Sequence, residues 1–387
     1  MNKLEFRQSV LDSYGANDEE VAELLAYNQS ICNRDASKNL QLYASTLPPE
    51  PHVAIWEEYV TAAETLGTFE TLKQRLVQFK FPIQAGISQT EAYRSATRKG
   101  FSVDRIPEAT GLILQQPEQL QLKLHQSLAG AIPVLIAGNR EDFVALVQAL
   151  TLRNEPQPVP PSMGACIVSG FNNWDRIYQY RQRWEAQNRD FTASWAEEFQ
   201  RLLPQKELYQ DRFVILSQGF YSNIQAQEIG LSEPEWQRLS LTIRLEHECT
   251  HYFTRRFFNS MWNNMVDELL ADYRGIVAAI GRYRADLFLR FVGLESFPNY
   301  CEGGRLQNYR GQPPLSNGAF KILQALVKDA AENLQHFDTN STKELKTLCG
   351  QTSMLIALSS LTLEELASPE AGDRIQQTLQ ASLTANN

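Results

Sequence analysis

Residues 247–251 read His-Glu-Cys-Thr-His, and sixteen positions beyond His251 the chain reads Asp267-Glu268-Leu269-Leu270-Ala271-Asp272. No other feature constrains the fold as much. Two histidines four apart can meet one ion if their segment is helical, where they stand on one face about 6 Å apart along the axis. Glu248 then flanks that face. Glu268 and Asp272 are also four apart, so a second helix would carry both on one side. Zinc in a hydrolytic centre takes three protein ligands and keeps a fourth place for water, so two histidines need a third partner. Glu268 is the candidate, and Asp272 is placed to accept the outer N–H of a ligating histidine and so fix its tautomer. The stretch after His251 is long enough for one helix to end, turn and run back beside itself.

The pair His-Glu-x-x-His and Glu-x-x-x-Asp resembles the gluzincin metallopeptidases, whose best-known branch is the thermolysin-like enzymes. The resemblance covers about residues 240–283. It implies His247, His251 and Glu268 as ligands of Zn2+, Glu248 as general base and Asp272 as the histidine's partner. The implied function is hydrolysis of a peptide or amide substrate by Glu-assisted attack of zinc-bound water. Neighbouring families fit less well. Metzincins extend the motif with a glycine and a third histidine where this chain has Thr254 and Phe257. Peptide deformylases need an upstream cysteine ligand, and neither Cys32 nor Cys166 sits in a close Gly-Cys motif. Aspzincins would use Asp267 or Asp272 as third ligand, but only Glu268 with Asp272 supplies both a ligand and a histidine partner.

The alternative to a hydrolase is a metal-stabilised binding or regulatory protein on the same fold, without catalysis. Glu248 argues against it, because a structural metal site has no use for a base there. An oxyanion would need a further donor, and His336, Tyr309 and Arg305 are the candidates. Cys249 is expected to be a packed thiol, because it faces away from both histidines. Glu246 is expected to be a solvated surface charge.

Composition narrows the remaining possibilities. With 387 residues, 43% hydrophobic and 21% charged, the chain can bury a large core and is expected to form two domains. A net charge of −9 gives no footprint for nucleic acid. No run of eighteen apolar residues occurs, and Met1-Asn2-Lys3-Leu4-Glu5-Phe6-Arg7 lacks the apolar stretch of a signal peptide. Five scattered cysteines suit reduced thiols. The expectation is a cytoplasmic protein with no membrane partner; oligomeric state leaves no signal.

The expected fold class is α+β and helix-rich: a helical and α/β N-terminal region over 1–155, then a mostly helical, zincin-like zinc-binding domain over 163–387. The boundary rests on four prolines within residues 153–162. Residues 5–80 read as mostly helical. Gly111–Leu114, Ile132–Gly138, Ala165–Val168 and Arg212–Leu216 read as strands, and 119–125 as strand or helix. Helices are expected over Asn139–Leu150, Trp174–Gln187, Ser194–Leu203, Glu233–Phe258, Met265–Val292, Ala319–Leu334, Thr342–Leu361 and Asp373–Leu379. The Phe213–Gln218 segment is expected to be an edge strand that pairs with an extended substrate.

Overall fold

The computed structural model describes residues 2–31, 47–103, 106–188, 194–259, 264–341 and 343–384. It is helix-rich with one small mixed sheet, an α+β architecture. The chain divides into two compact units, one of residues Pro48–Gly219 and one of Met1–Leu47 with Phe220–Asn387. The boundary expected at 155–163 therefore moves. The proline-rich stretch joins a helix, Arg140–Thr151, to a strand, Ala165–Asn172, inside a single unit. Strands on both sides of it share one sheet, so it is a surface connection. Residues 163–219 belong with that sheet, and the first 47 residues belong with the helical unit.

The sheet of Pro48–Gly219 holds β1 (Gln121–Ser127), β2 (Gly130–Ala137), β3 (Ala165–Asn172) and β4 (Gln210–Ser217) in the order β1-β2-β4-β3. β1 and β2 form an antiparallel hairpin with Leu122 opposite Leu135. β2 runs parallel to β4, with Leu135 opposite Ile215, and β3 lies antiparallel on the other side of β4. The ladder is irregular between Ser169 and Phe171, where Gly170 has φ +75°. β4 is thus an interior strand, and the edge role expected for Phe213–Gln218 is overturned. Its backbone groups are committed to β2 and β3. The uninterrupted apolar run Phe213-Val214-Ile215-Leu216, buried on both faces, marks a central strand.

Helix Val53–Leu66 packs Trp56 against Phe213, with ring centroids 5.0 Å apart. The Trp56 indole N–H donates to Asp211, which pairs with Arg176 at 2.8 Å. Gly111–Leu114 forms no ladder. Gly111 has φ +94°, and the amides of Gly111 and Leu112 donate to the carbonyls of Lys80 and Phe79 instead. Leu112 and Leu114 still bury their side chains, which is why the segment resembled a strand.

The other unit is helical among its described residues. Helices Lys3–Ser13 and Asp18–Tyr27 each begin with an asparagine capping box. Arg7, on the first, pairs with buried Glu364 at 3.1 Å. Helices Trp174–Gln187, in the sheet unit, and Glu233–Phe258, here, have the bounds expected from sequence. The single helix expected over Met265–Val292 is two, Met265–Ile280 and Ala285–Val292, because Gly281 takes φ +81° and ends the first. Part of the helical reading of 5–80, together with Cys32 and Thr342, lies outside the described residues. No described helix is long and apolar enough to cross a membrane.

Candidate metal centre

The site lies on the pair Glu233–Phe258 and Met265–Ile280. Pro234 occupies the first turn of the former, where its missing N–H costs nothing, and Asn259 ends it in the left-handed conformation with φ 50°. Asn264 caps the second helix by accepting the Asp267 amide. The two helices touch closely at Gly275, where an added Cβ would stand 2.7 Å from the Ile243 carbonyl oxygen.

Across this contact His247, His251 and Glu268 converge, each less than 9% exposed, with ligand atoms within 4.8 Å of one another. The two Nε2 atoms are 3.1 Å apart. Glu268 Oε1 lies 3.5 Å from His251 Nε2, and Oε2 lies 3.6 Å from His247 Nε2. A tetrahedral ion with bonds of about 2.0–2.1 Å spaces its ligand atoms about 3.3 Å apart, so this triangle has the size of a zinc coordination face. Glu268 Oε2 is buried without a hydrogen-bond partner, an arrangement that is costly unless a cation completes it.

Around the triangle stands a layer of charge. His247 Nδ1 is 2.8 Å from Asp272 Oδ1, which also accepts the Tyr221 hydroxyl at 2.5 Å. Arg305 pairs with Asp272 Oδ2 and donates to the Tyr221 hydroxyl at 2.9 Å. Asp267 Oδ2 faces His251 Nδ1 at 3.4 Å, and neither Asp267 oxygen has a well-formed hydrogen bond. Three buried carboxylates, Asp267, Glu268 and Asp272, thus stand against one guanidinium, which pairs with Asp272, a deficit of two positive charges. Two protonated imidazoles could supply them only by facing each other at 3.1 Å; a single divalent cation supplies them without that repulsion.

Burial opposes ionisation of Glu268, but His247, His251 and Arg305 outweigh it and hold the carboxyl well below the usual carboxylate range. Asp272 behaves alike: burial works against its charge, and Arg305 and His247 prevail. For His251, burial disfavours the proton, while Asp267 and Glu268 more than reverse this in the metal-free protein. These are the fields that favour a cation between the three side chains.

Glu248 is half-buried and enters no hydrogen bond or ion pair among the described residues, so its carboxylate is uncommitted. The three donor candidates separate. His336 is exposed on helix Asn317–Asn340, 3.3 Å from Asn340, and is not part of the cluster. Arg305 reaches the cluster, with its two terminal nitrogens on Tyr221 and Asp272 and its Nε without a hydrogen-bond partner. Tyr309 is half-buried beside Glu268; burial and that carboxylate hold its phenol well above the ordinary value. Cys249 is buried, as expected of a packed thiol. Glu246 is not a surface charge: it is 7% exposed and pairs with Arg274 at 3.0 Å. Tyr221 gave no sequence signal, lying 26 residues before His247 with no spacing rule to connect them. Asp267, weighed only as an alternative ligand, instead faces the outer nitrogen of His251.

Fold and cluster together define a helical unit with a buried two-histidine, one-glutamate candidate metal centre. Residues 9–370 match a family of unknown function, DUF7005, and the chain belongs to that family. Comparison with curated proteins and with solved structures gives no match.

Proposed function

We propose that this protein is a zinc-dependent hydrolase of the gluzincin metallopeptidase type, acting on peptide or amide bonds. The observation that carries the proposal is the orphaned Glu268 oxygen opposite two imidazole nitrogens at zinc-ligand spacing. His247, His251 and Glu268 would hold the ion. Zinc at such a centre supplies a Lewis acid that polarises a carbonyl and makes bound water acidic.

The chain's own residues do the rest. Glu248, uncommitted and next to His247, accepts the proton of the attacking water on its carboxylate and returns it to the leaving amine. Tyr309 offers its hydroxyl to the oxygen that gains charge as the carbonyl becomes tetrahedral. Asp272 and Asp267 hold the two imidazoles from behind. Five cysteines scattered along the sequence support a reducing, cytoplasmic setting.

The test has two stages. Zinc content of the wild type is measured beside His251→Ala; stoichiometric zinc that the variant loses supports the centre, and a wild type that takes up none ends the proposal. Glu248→Gln is then expected to keep the metal and lose at least about a hundredfold of turnover on a peptide library. Unchanged turnover would point to a metal-stabilised binding protein.

A further inference from the structure

We propose that Tyr221 and Arg305 are positioning residues that set how tightly His247 holds its metal, Arg305 acting through Asp272 and Tyr221 through Asp272 and its own contact with His247 Nδ1; this rests on the metal-centre reading above. Asp272 is fully buried and takes donors from three separated segments. Oδ1 receives the Tyr221 hydroxyl and faces His247 Nδ1, which the same hydroxyl also meets at 3.0 Å, while Oδ2 receives Arg305. The two outer residues also brace each other. The Arg305 guanidinium lies 5.0 Å from the centre of the Tyr221 ring and donates to its hydroxyl. Tyr221 is in turn fixed to the motif helix, its amide donating to the Ser240 hydroxyl at 3.0 Å, and its ring packs edge-on against Phe291 at 4.8 Å.

This arrangement has a chemical consequence. Arg305 holds Oδ2 in an ion pair, which leaves Oδ1 turned towards His247. As an acceptor, Asp272 keeps the His247 proton on Nδ1 and leaves the Nε2 lone pair facing His251 and Glu268. Tyr221 fixes the direction of the accepting oxygen. Arg305 and Tyr309 begin and end the same short 3-10 turn, Arg305–Tyr309, so the clamp that holds Asp272 also anchors the turn that carries Tyr309.

The full-length chain is stripped with EDTA and titrated with zinc alone against a chromophoric chelator. Tyr221→Phe and Arg305→Met are expected to bind zinc roughly 10–100-fold more weakly than the wild type, and Arg305→Lys to recover part of the loss. Loaded with cobalt, Tyr221→Phe and Arg305→Met should show displaced visible bands and Arg305→Lys bands near the wild type. Variants that bind zinc as the wild type does, with melting temperature alone reduced, would overturn the proposal while leaving the metal centre intact. A wild type without zinc affinity would remove both. Should Arg305→Met not fold, Tyr221→Phe, which deletes one oxygen atom, decides the matter.

Discussion

Gly275→Ala adds one methyl group where the two helices that carry the proposed metal ligands touch. The new Cβ would sit 2.7 Å from the Ile243 carbonyl oxygen and 3.1 Å from Ile243 Cγ2, where ordinary contact begins at 3.4 Å. The helices must therefore part by about 0.7 Å or bend. Overpacking of this kind costs about 1–3 kcal/mol, against a gain of up to ~1 kcal/mol from alanine's better helix propensity. Strain wins, by up to about 2 kcal/mol. Gly372 provides the control. It lies near the start of helix Ala371–Thr384 with nothing within 4 Å of an added Cβ, so Gly372→Ala should stabilise by a few tenths of a kcal/mol to about 1. Denaturant unfolding in EDTA compares the two without metal. Zinc titration adds a second reading, because a shift of about 0.7 Å is a third of a metal–ligand bond; Gly275→Ala should bind on the order of tenfold more weakly. If both substitutions stabilise alike and Gly275→Ala keeps its zinc affinity, the helices are not in contact at Gly275 and the geometry of the site is wrong.

Burial pushes the His52 imidazole from 6.5 down to about 4, Arg176 and Arg212 adding to the effect and Glu50 opposing it. Below pH 6.5 the unfolded chain takes the proton first, so this contribution is complete above 6.5 and is lost as pH falls towards 4. At ~1.4 kcal/mol per pH unit, unfolding at pH 5 should show about 2 kcal/mol of the loss relative to pH 7.5, and His52→Gln should lack it; identical pH profiles would refute the assignment. Glu246→Ala leaves the largely covered Arg274 without this partner and should cost about 2–4 kcal/mol, with Glu246→Leu/Arg274→Met recovering most of it by urea denaturation. A cost below about 0.5 kcal/mol would return Glu246 to the surface role its sequence suggested.

How much was legible depended on whether the signal was local. The motif helix could be bounded from Ser232-Glu233-Pro234 at one end and the close of its apolar pattern at the other, and the i, i+4 rule placed His247 with His251 and Glu268 with Asp272. Contacts made across long sequence distances left no such trace. Tyr221 and Arg305 meet Asp272 from 51 and 33 residues away, by packing rather than periodicity. Prolines at 156, 158, 160 and 161 announced a loop but could not say that the strands on either side of it would share one sheet. Glu246 read as exposed because charge is usually solvated; its partner Arg274 sits on the next helix, and only the pairing of those helices reveals it.

The helical unit closes on itself late in synthesis. Arg7 precedes its buried partner Glu364 by 357 residues, with all of Pro48–Gly219 between them. A ribosome adding about 5–20 residues per second takes tens of seconds to cover that distance. The sheet-bearing unit has its full sequence in hand during that interval, whereas Lys3–Ser13 and Asp18–Tyr27 wait with their apolar faces open. Lys3–Ser13 therefore stays without the buried partner of Arg7 until Glu364 has left the exit tunnel, whereas the side chains of the candidate metal centre are all present once Glu268 has emerged.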